Sequence, residues 1–389
     1  MSEIKVNSIK GVGASSAAIT VNNTDGTCTA NITNNLSNRR MNINGAMLVW
    51  QRSTSVSVSD GSNEGVSACD RYGFEYGNSS AGAATISQST DVPTNLGFPY
   101  SFKIDVTTIN NNSAANTQIR FPYRFEAQDI VNSGWKYNDS NSFLTISFYF
   151  KSNKSGTNKL PVQIRTFDGT AYFYIAEITQ SDTNWNRYTV KIPGNSNLTF
   201  NNDNEMGLEV AWYFAVGSTY HTTADTWGTA QKHGTSNSTN YFDSTSNDMF
   251  ITGIQMEATT NGIATDFEHR SFAQELALCQ RYYFRLAEGA DHVPICMGAA
   301  YTASSIHFGI AHFPCKMRAN PTVDAPTASS YYREVANNST SLASGVQIED
   351  ANSTCCGIRI TGGSSITQGS AIYFRLGNAS AYVAFSAEL

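Results

Sequence analysis

The run MGLEVAWYFAV (residues 206–216) alternates: Val210 and Trp212 fall in one phase, Glu209 and Tyr213 in the other. A period of two marks a strand with one buried face, because successive side chains point to opposite sides of a pleated backbone. The alternation recurs in YSFKIDVTT (100–108), TQIRFPYRF (117–125), FLTISFYFKS (143–152) and LPVQIRTF (160–167). It recurs again in AYFYIAEIT (171–179), NRYTVKIP (186–193) and MFITGIQMEA (249–258). Clusters of Asn, Gly, Ser, Asp or Pro bound each run, as turns require. Many short strands with no helical period between them predict an all-β fold: an antiparallel two-sheet sandwich of jelly-roll type over residues 41–269. The polar stretches GNSSAGAATISQST (77–90) and GTAQKHGTSNSTNYFDSTSND (228–248) are expected at its ends or edges.

One stretch breaks the pattern. In RSFAQELALCQRYYFRL (270–286), Ser271 followed three residues later by Gln274 is a capping-box signature. Phe272, Leu276, Cys279 and Tyr283 share one helical face, which predicts a connecting helix of about three turns within 270–286. That face must cover itself on the sandwich edge or on the same helix of neighbouring subunits, as in a homotrimer. Beyond it, PICMGAAYTA (294–303), SIHFGIAHFP (305–314), CCGIRITGG (355–363), SAIYFRLGN (370–378) and AYVAFSAEL (381–389) predict a second β-sandwich domain over 287–389. Residues 1–40 have too few large side chains for a core and are expected to order as an arm against a partner.

Composition narrows the function. Of 389 residues, only 14% are charged and 12% are aromatic, a balance that suits pleated surfaces. The net charge is -6 without a basic tract, which leaves little for phosphate neutralisation, so no nucleic-acid partner is expected. No apolar run approaches a membrane span and no leader precedes the first strands, so synthesis in a cytoplasm without membrane insertion is expected. Seven cysteines, an odd number, fit reduced thiols, with a Cys296–Cys315 bond the remaining alternative.

The chemistry-bearing residues read mostly as structure. His292, His307 and His312 lack metal-ligand spacing, and a five-residue separation puts the last two on opposite strand faces, so neither metal nor cofactor is expected. Glu126/Asp129 and Asp266/Glu268 are acid pairs; the second sits beside the helix start, where carboxylates cap or pair with Arg270, and the structural reading outweighs a glycosidase pair, so no catalytic residue is assigned. Asp70 and Arg71 read as a local ion pair. GVGASS (11–16) lacks the Gly-Lys of a phosphate loop. Trp50, Trp185 and Trp212 are expected in the core. With Val162, Ile164, Phe173, Ile175, Val210 and Trp212 inward, alternation sets Gln163, Arg165, Tyr172, Tyr174, Glu209 and Tyr213 on the outer face, joined by Gln118 and Arg120. Aromatic planes beside amide, carboxylate and guanidinium groups are the chemistry that binds a saccharide, and they equally suit a protein partner.

Several phrases resemble a known family. SNRRMNINGAMLVWQRS (37–53), CDRYGF (69–74), ITGIQMEA (251–258) with ATDFEHRSFAQELALCQRYYFR (264–285), FPCKMRANPTV (313–323) and YVAFSAEL (382–389) are similar to phage virion proteins of marine phages and cyanophages, their tail-fibre and minor structural proteins. The first domain also resembles carbohydrate-binding-module-like jelly rolls. The likeness implies a non-enzymatic virion appendage. Its N-terminal arm would attach to other virion proteins, and its body would recognise a host surface polysaccharide. The alternative it implies is a purely structural head-decoration fibre or tail adaptor.

Overall fold

The computed structural model describes residues 6–15, 17–22, 24, 28–30, 38–61, 65–66, 68–77, 81–111, 114–302, 307–337, 339–363 and 366–389. Its named strands pair antiparallel, and each run quoted for the first domain overlaps a strand. One sheet orders Asn186–Pro193, Phe143–Ser152, Asp248–Thr259, Ser101–Thr108, Ala83–Ser89 and Ser55–Ser59. The facing sheet orders Trp227–Gly228, Phe173–Gln180, Asn158–Thr166, Met206–Val216, Gln118–Glu126, Gly73–Gly77 and Gly65–Val66. Phe102, Phe148 and Phe150 from the first meet Phe121, Ile164 and Trp212 from the second, all fully buried. Trp212 stands edge-on to Phe148 with ring centroids 5.4 Å apart, which joins the layers at mid-height. A bulge between Ser147 and Tyr149 accommodates Gly253, at φ +63. A Cβ there would lie 2.7 Å from the Phe98 ring.

The second domain is a three-stranded sheet (Tyr283–Glu288, Tyr382–Ser386, Thr322–Asp324) beside a seven-stranded one. In the latter Ser339–Ala343, Tyr332–Ala336, Ala371–Leu376, Pro294–Ala300, His307–His312, Cys355–Thr361 and Gly345–Glu349 lie side by side. Its core is a separate cluster that includes Ile358, Ile372, Phe374 and Phe385. The arm carries three short paired strands, Ser8–Ile9, Ile19–Val21 and Cys28–Ala30. None of its described residues joins a hydrophobic cluster, and Val6, Ile9 and Val12 stay exposed. All seven cysteines are unpaired, including Cys296 and Cys315.

The helix is shorter than the periodicity suggests. It spans Phe272–Cys279, with the capping box in place: Ser271 Oγ accepts from the Gln274 amide and Gln274 Oε1 accepts from the Ser271 amide. Tyr283 has already turned into a strand paired with Ser386, and that distant partner ends the helix early. The proposed oligomer seam is corrected accordingly. Cys279 and Tyr283 are fully buried inside the chain and Leu276 packs against Ile43 and Val49, so only Phe272, 56% exposed, remains for a neighbour.

What the helix buries is a polar knot. Glu275 is ion-paired with Arg40, both side chains fully buried, and its other oxygen accepts the Asn44 amide at 2.7 Å. Asn44, at φ 58, accepts from the Leu48 and Val49 amides and donates to Val49 O and Asp70 O. Asn42 bridges the Tyr72 hydroxyl, Ile254 O and the Met256 amide. Burial lowers the Arg40 guanidinium to about 10, with Arg270 adding to the effect. We expect Glu275→Ala to strand Arg40 as an uncompensated buried charge and lower stability by about 3–5 kcal/mol. Urea unfolding of the full chain measures this, and a loss under about 1 kcal/mol would show the pair to be dispensable.

Candidate functional site

The outer face of the seven-stranded sheet holds most of the predicted polar set, with one strand out of phase. Register pairs Ile164 with Tyr174 and Arg165 with Phe173. Tyr174 therefore lies in the core and Tyr172 packs against it, while Phe173 and Ile175 face outward, the reverse of the expectation. Both phases of AYFYI are apolar, so only the next residues discriminate: Glu177 and Thr179 share a phase with Phe173 and Ile175.

The polar stretch 228–248 does not stay at an edge either. Residues 229–238, with 217–226 ahead of them, fold back as a strap over the outer face, whereas Trp227–Gly228 forms the edge strand and Tyr241 and Phe242 turn into the core. His233 stacks on Tyr213 at 4.8 Å and meets Tyr220 at 4.3 Å. Gln163 contacts Lys232 O and His233 Nδ1, and its Oε1 accepts from the Tyr213 hydroxyl at 3.2 Å. Thr235 donates to Glu177 at 2.6 Å. Gln163, Tyr213 and Ile175 are thus buried under the chain's own backbone and do not form an open platform. The stretch 77–90 is corrected as well: Ala83–Ser89 is a strand next to the sheet edge.

Beyond the strap the face stays partly open. Arg120 donates to Glu75 at 2.5 Å and Glu209 at 2.7 Å, and Arg124 donates to the same two carboxylates at 2.6 and 2.9 Å. Glu209 is buried, while the other three side chains of this quartet are 14–20% exposed. Burial opposes the charge on Glu75, but the two arginines outweigh it and hold the carboxyl below its usual range. Gln118, from the same strand as Arg120, is 7% exposed. Arg165 lies opposite Glu209 in the ladder, with its guanidinium 4.4 Å from the Phe167 ring centroid and 5.5 Å from that of Phe173.

The other singled-out residues serve the architecture. Glu126 is the buried acceptor for Arg281, through two contacts of 2.6 Å, and for the Tyr282 hydroxyl, whereas Asp129 stays exposed. Glu268 accepts the amides of Asn38, Arg39 and Arg40, all within 2.9 Å. The local Asp70–Arg71 pair is corrected. Asp70 accepts from the Gln51 amide and side chain, while Arg71 pairs with Glu388 and lies 3.4 Å from the Tyr282 ring centroid. His307 is buried against Glu334, while His292 and His312 are exposed on other surfaces. Trp212 is core and Trp50 packs on its rim; Trp185 is half-buried outside the core and donates to Asp91. A groove of 1330 Å³ also opens between helix Phe272–Cys279 and residues 129–133, lined by residues of both charge signs, Arg39, Asp129 and Lys316 among them. Among the described residues no helix is long and apolar enough to cross a membrane, and no group of three or more His, Cys, Asp or Glu could hold a metal.

No protein-family model matches the chain, and no curated protein matches it. Solved structures align over about half of it. The family 11 carbohydrate-binding module of Clostridium thermocellum, in complex with a mixed-linked tetrasaccharide, aligns at 13% identity over 55% of this chain and 98% of its own, with a TM-score of 0.26. The enzymatically active domain of bacteriophage CBA120 tailspike protein 4 aligns at 14% identity over 52% of this chain, which spans 21% of the tailspike, with a TM-score of 0.28. The C-terminal family 22 module of Clostridium thermocellum Xyn10B aligns at 13% identity over 49% of this chain and 88% of its own, with a TM-score of 0.26. Scores this low carry no functional argument.

The strap sets a titratable ring against the face. Burial first, then the Arg120 and Arg165 charges, press His233 from its ordinary 6.5 to about 3. The neutral ring is the folded form, so its contribution is complete above pH 6.5 and is lost as pH falls toward 3. We expect wild type to lose melting temperature relative to His233→Gln as pH drops from about 7 to about 4. A constant offset between the two across that range would show that the ring does not titrate with folding.

Proposed function

We propose that the protein is a non-enzymatic phage virion appendage, a tail fibre or receptor-binding protein. Its first domain recognises host-surface glycan through the open part of the outer sheet face. The observation that carries this reading is the Glu75–Arg120–Glu209–Arg124 quartet beside the half-buried ring of Phe167. Four mutual ion pairs hold the groups still, so the donors and lone pairs left over meet sugar hydroxyls without further ordering cost. An aromatic ring next to them supplies the flat apolar area on which a pyranose stacks. The resemblance of residues 37–53 and 264–285 to phage virion proteins supports the particle context, with residues 1–40 attaching to other virion proteins. Immunogold electron microscopy of intact particles tests the location, and absence from the virion overturns it. Phe167→Ala should lower binding to host envelope polysaccharide while shifting stability by no more than about 1 kcal/mol. Release of reducing ends from that polysaccharide would overturn the non-enzymatic reading.

A second reading, a structural fibre or adaptor, is favoured by the second domain. Met297, Tyr301 and Ile310 are 65, 67 and 62% exposed on the outer face of its seven-stranded sheet, where Met297 pairs with Tyr373. Exposed apolar surface of this kind marks a protein contact, and a homotrimer places it between subunits. Light scattering of the full chain should give a trimer that Met297→Glu/Ile310→Glu dissociates. A wild-type monomer at micromolar concentration removes self-association through this face.

A further inference from the structure

Charge pairing on the outer sheet face is uneven. The two carboxylates of the quartet are shared by Arg120 and Arg124. Glu177, further along the face, is held by Thr235 with Lys159 at 3.8 Å. Asp168, next to Phe167, accepts from the Asn201 amide and side chain. Arg165 stands directly across the ladder from Glu209, yet no carboxylate of the described residues lies within 4.0 Å of it. Its contacts are two rings, and its Nε is buried without a hydrogen-bond partner. Seating on Phe167 and Phe173 fixes the plane of the guanidinium and leaves its donors unused. The same unneutralised charge reaches His233, where Arg165 adds to burial and Arg120 in disfavouring the protonated ring.

Resting on the glycan reading above, we infer that the saccharide bound here is anionic. Arg165 takes its carboxylate or sulfate ester through paired N–H donors, and the adjoining sugar ring lies against Phe167. A planar fork matches either anion bidentately, and the aromatic seat means that little side-chain freedom is lost on binding. The chain as a whole carries -6, so its bulk charge repels such a polymer and any affinity must come from a local site.

Affinity electrophoresis of the full chain through gels containing alginate, dextran sulfate or neutral dextran tests this. The wild type is retarded by alginate or dextran sulfate, depending on which anion is read, and not by dextran. Arg165→Gln weakens that retardation about tenfold or more, and Arg165→Lys, which keeps the charge and loses the fork, falls between. Equal melting temperatures of the three proteins exclude misfolding as the cause. Retardation by dextran as strong as by the acidic polymers, or retardation untouched in Arg165→Gln, overturns the inference and leaves glycan recognition standing. Free migration through all three gels overturns both.

Discussion

The buried carboxylate of Glu275 is the constraint on which both domains depend. A charge of this kind is tolerated in a dry interior only when it is paired, and its partners are Arg40 and the Asn44 amide. Fixing Asn44 in the left-handed region shapes the turn through Val49 and ties it to Asp70. Fixing the helix sets the residues that follow it. Arg281 and Tyr282 reach back to Glu126 in the first domain, and Tyr283 hydrogen-bonds Asp324 in the second while stacking under Arg52. Arg318 completes the junction by donating to Asn204 O, Ala387 O and Glu388 O. A polar helix face and a small apolar cluster of Ile43, Val49, Leu276, Cys279, Tyr282 and Leu389 together join the two β-sandwiches.

The outer sheet face follows a related logic. Its centre is built from groups that would be costly to bury alone, and the strap supplies their partners in cis: Gln163 and Tyr213 under His233, Glu177 under Thr235. Only the flank that the strap does not reach keeps polar groups with unused valence. The candidate site is thus what remains after the chain has satisfied its own sheet.

Period-two alternation made the strands legible wherever one phase was polar, as in residues 206–213 and 186–193. It failed where both phases were apolar. Phe173-Tyr174-Ile175 gives no contrast, and the deciding polar residues, Glu177 and Thr179, lie downstream in the same strand. The strap was unreadable for a different reason: Asn, Ser, Thr and Gly mark a loop, but nothing in a polar loop says which surface it crosses. Capping chemistry located the helix start at Ser271, because Ser-x-x-Gln is a local code. Its end at Cys279 was set by strand pairing of Tyr283 with Ser386, more than a hundred residues away, and no local pattern carries that. Arg71 shows the same limit, since its true partner, Glu388, belongs to the other domain.

Glu268 receives three consecutive amides, those of Asn38, Arg39 and Arg40, at the point where the arm meets the body. Burial alone would raise this carboxyl; the amides outweigh it and keep the group ionised, so the contact is charge-assisted throughout. Its arrangement has a mechanical meaning. A pull on the chain ahead of Asn38 loads the three bonds together instead of one after another, and Arg40 passes the load on to the helix through Glu275. Tension applied at the amino end would therefore meet a catch, not a thread.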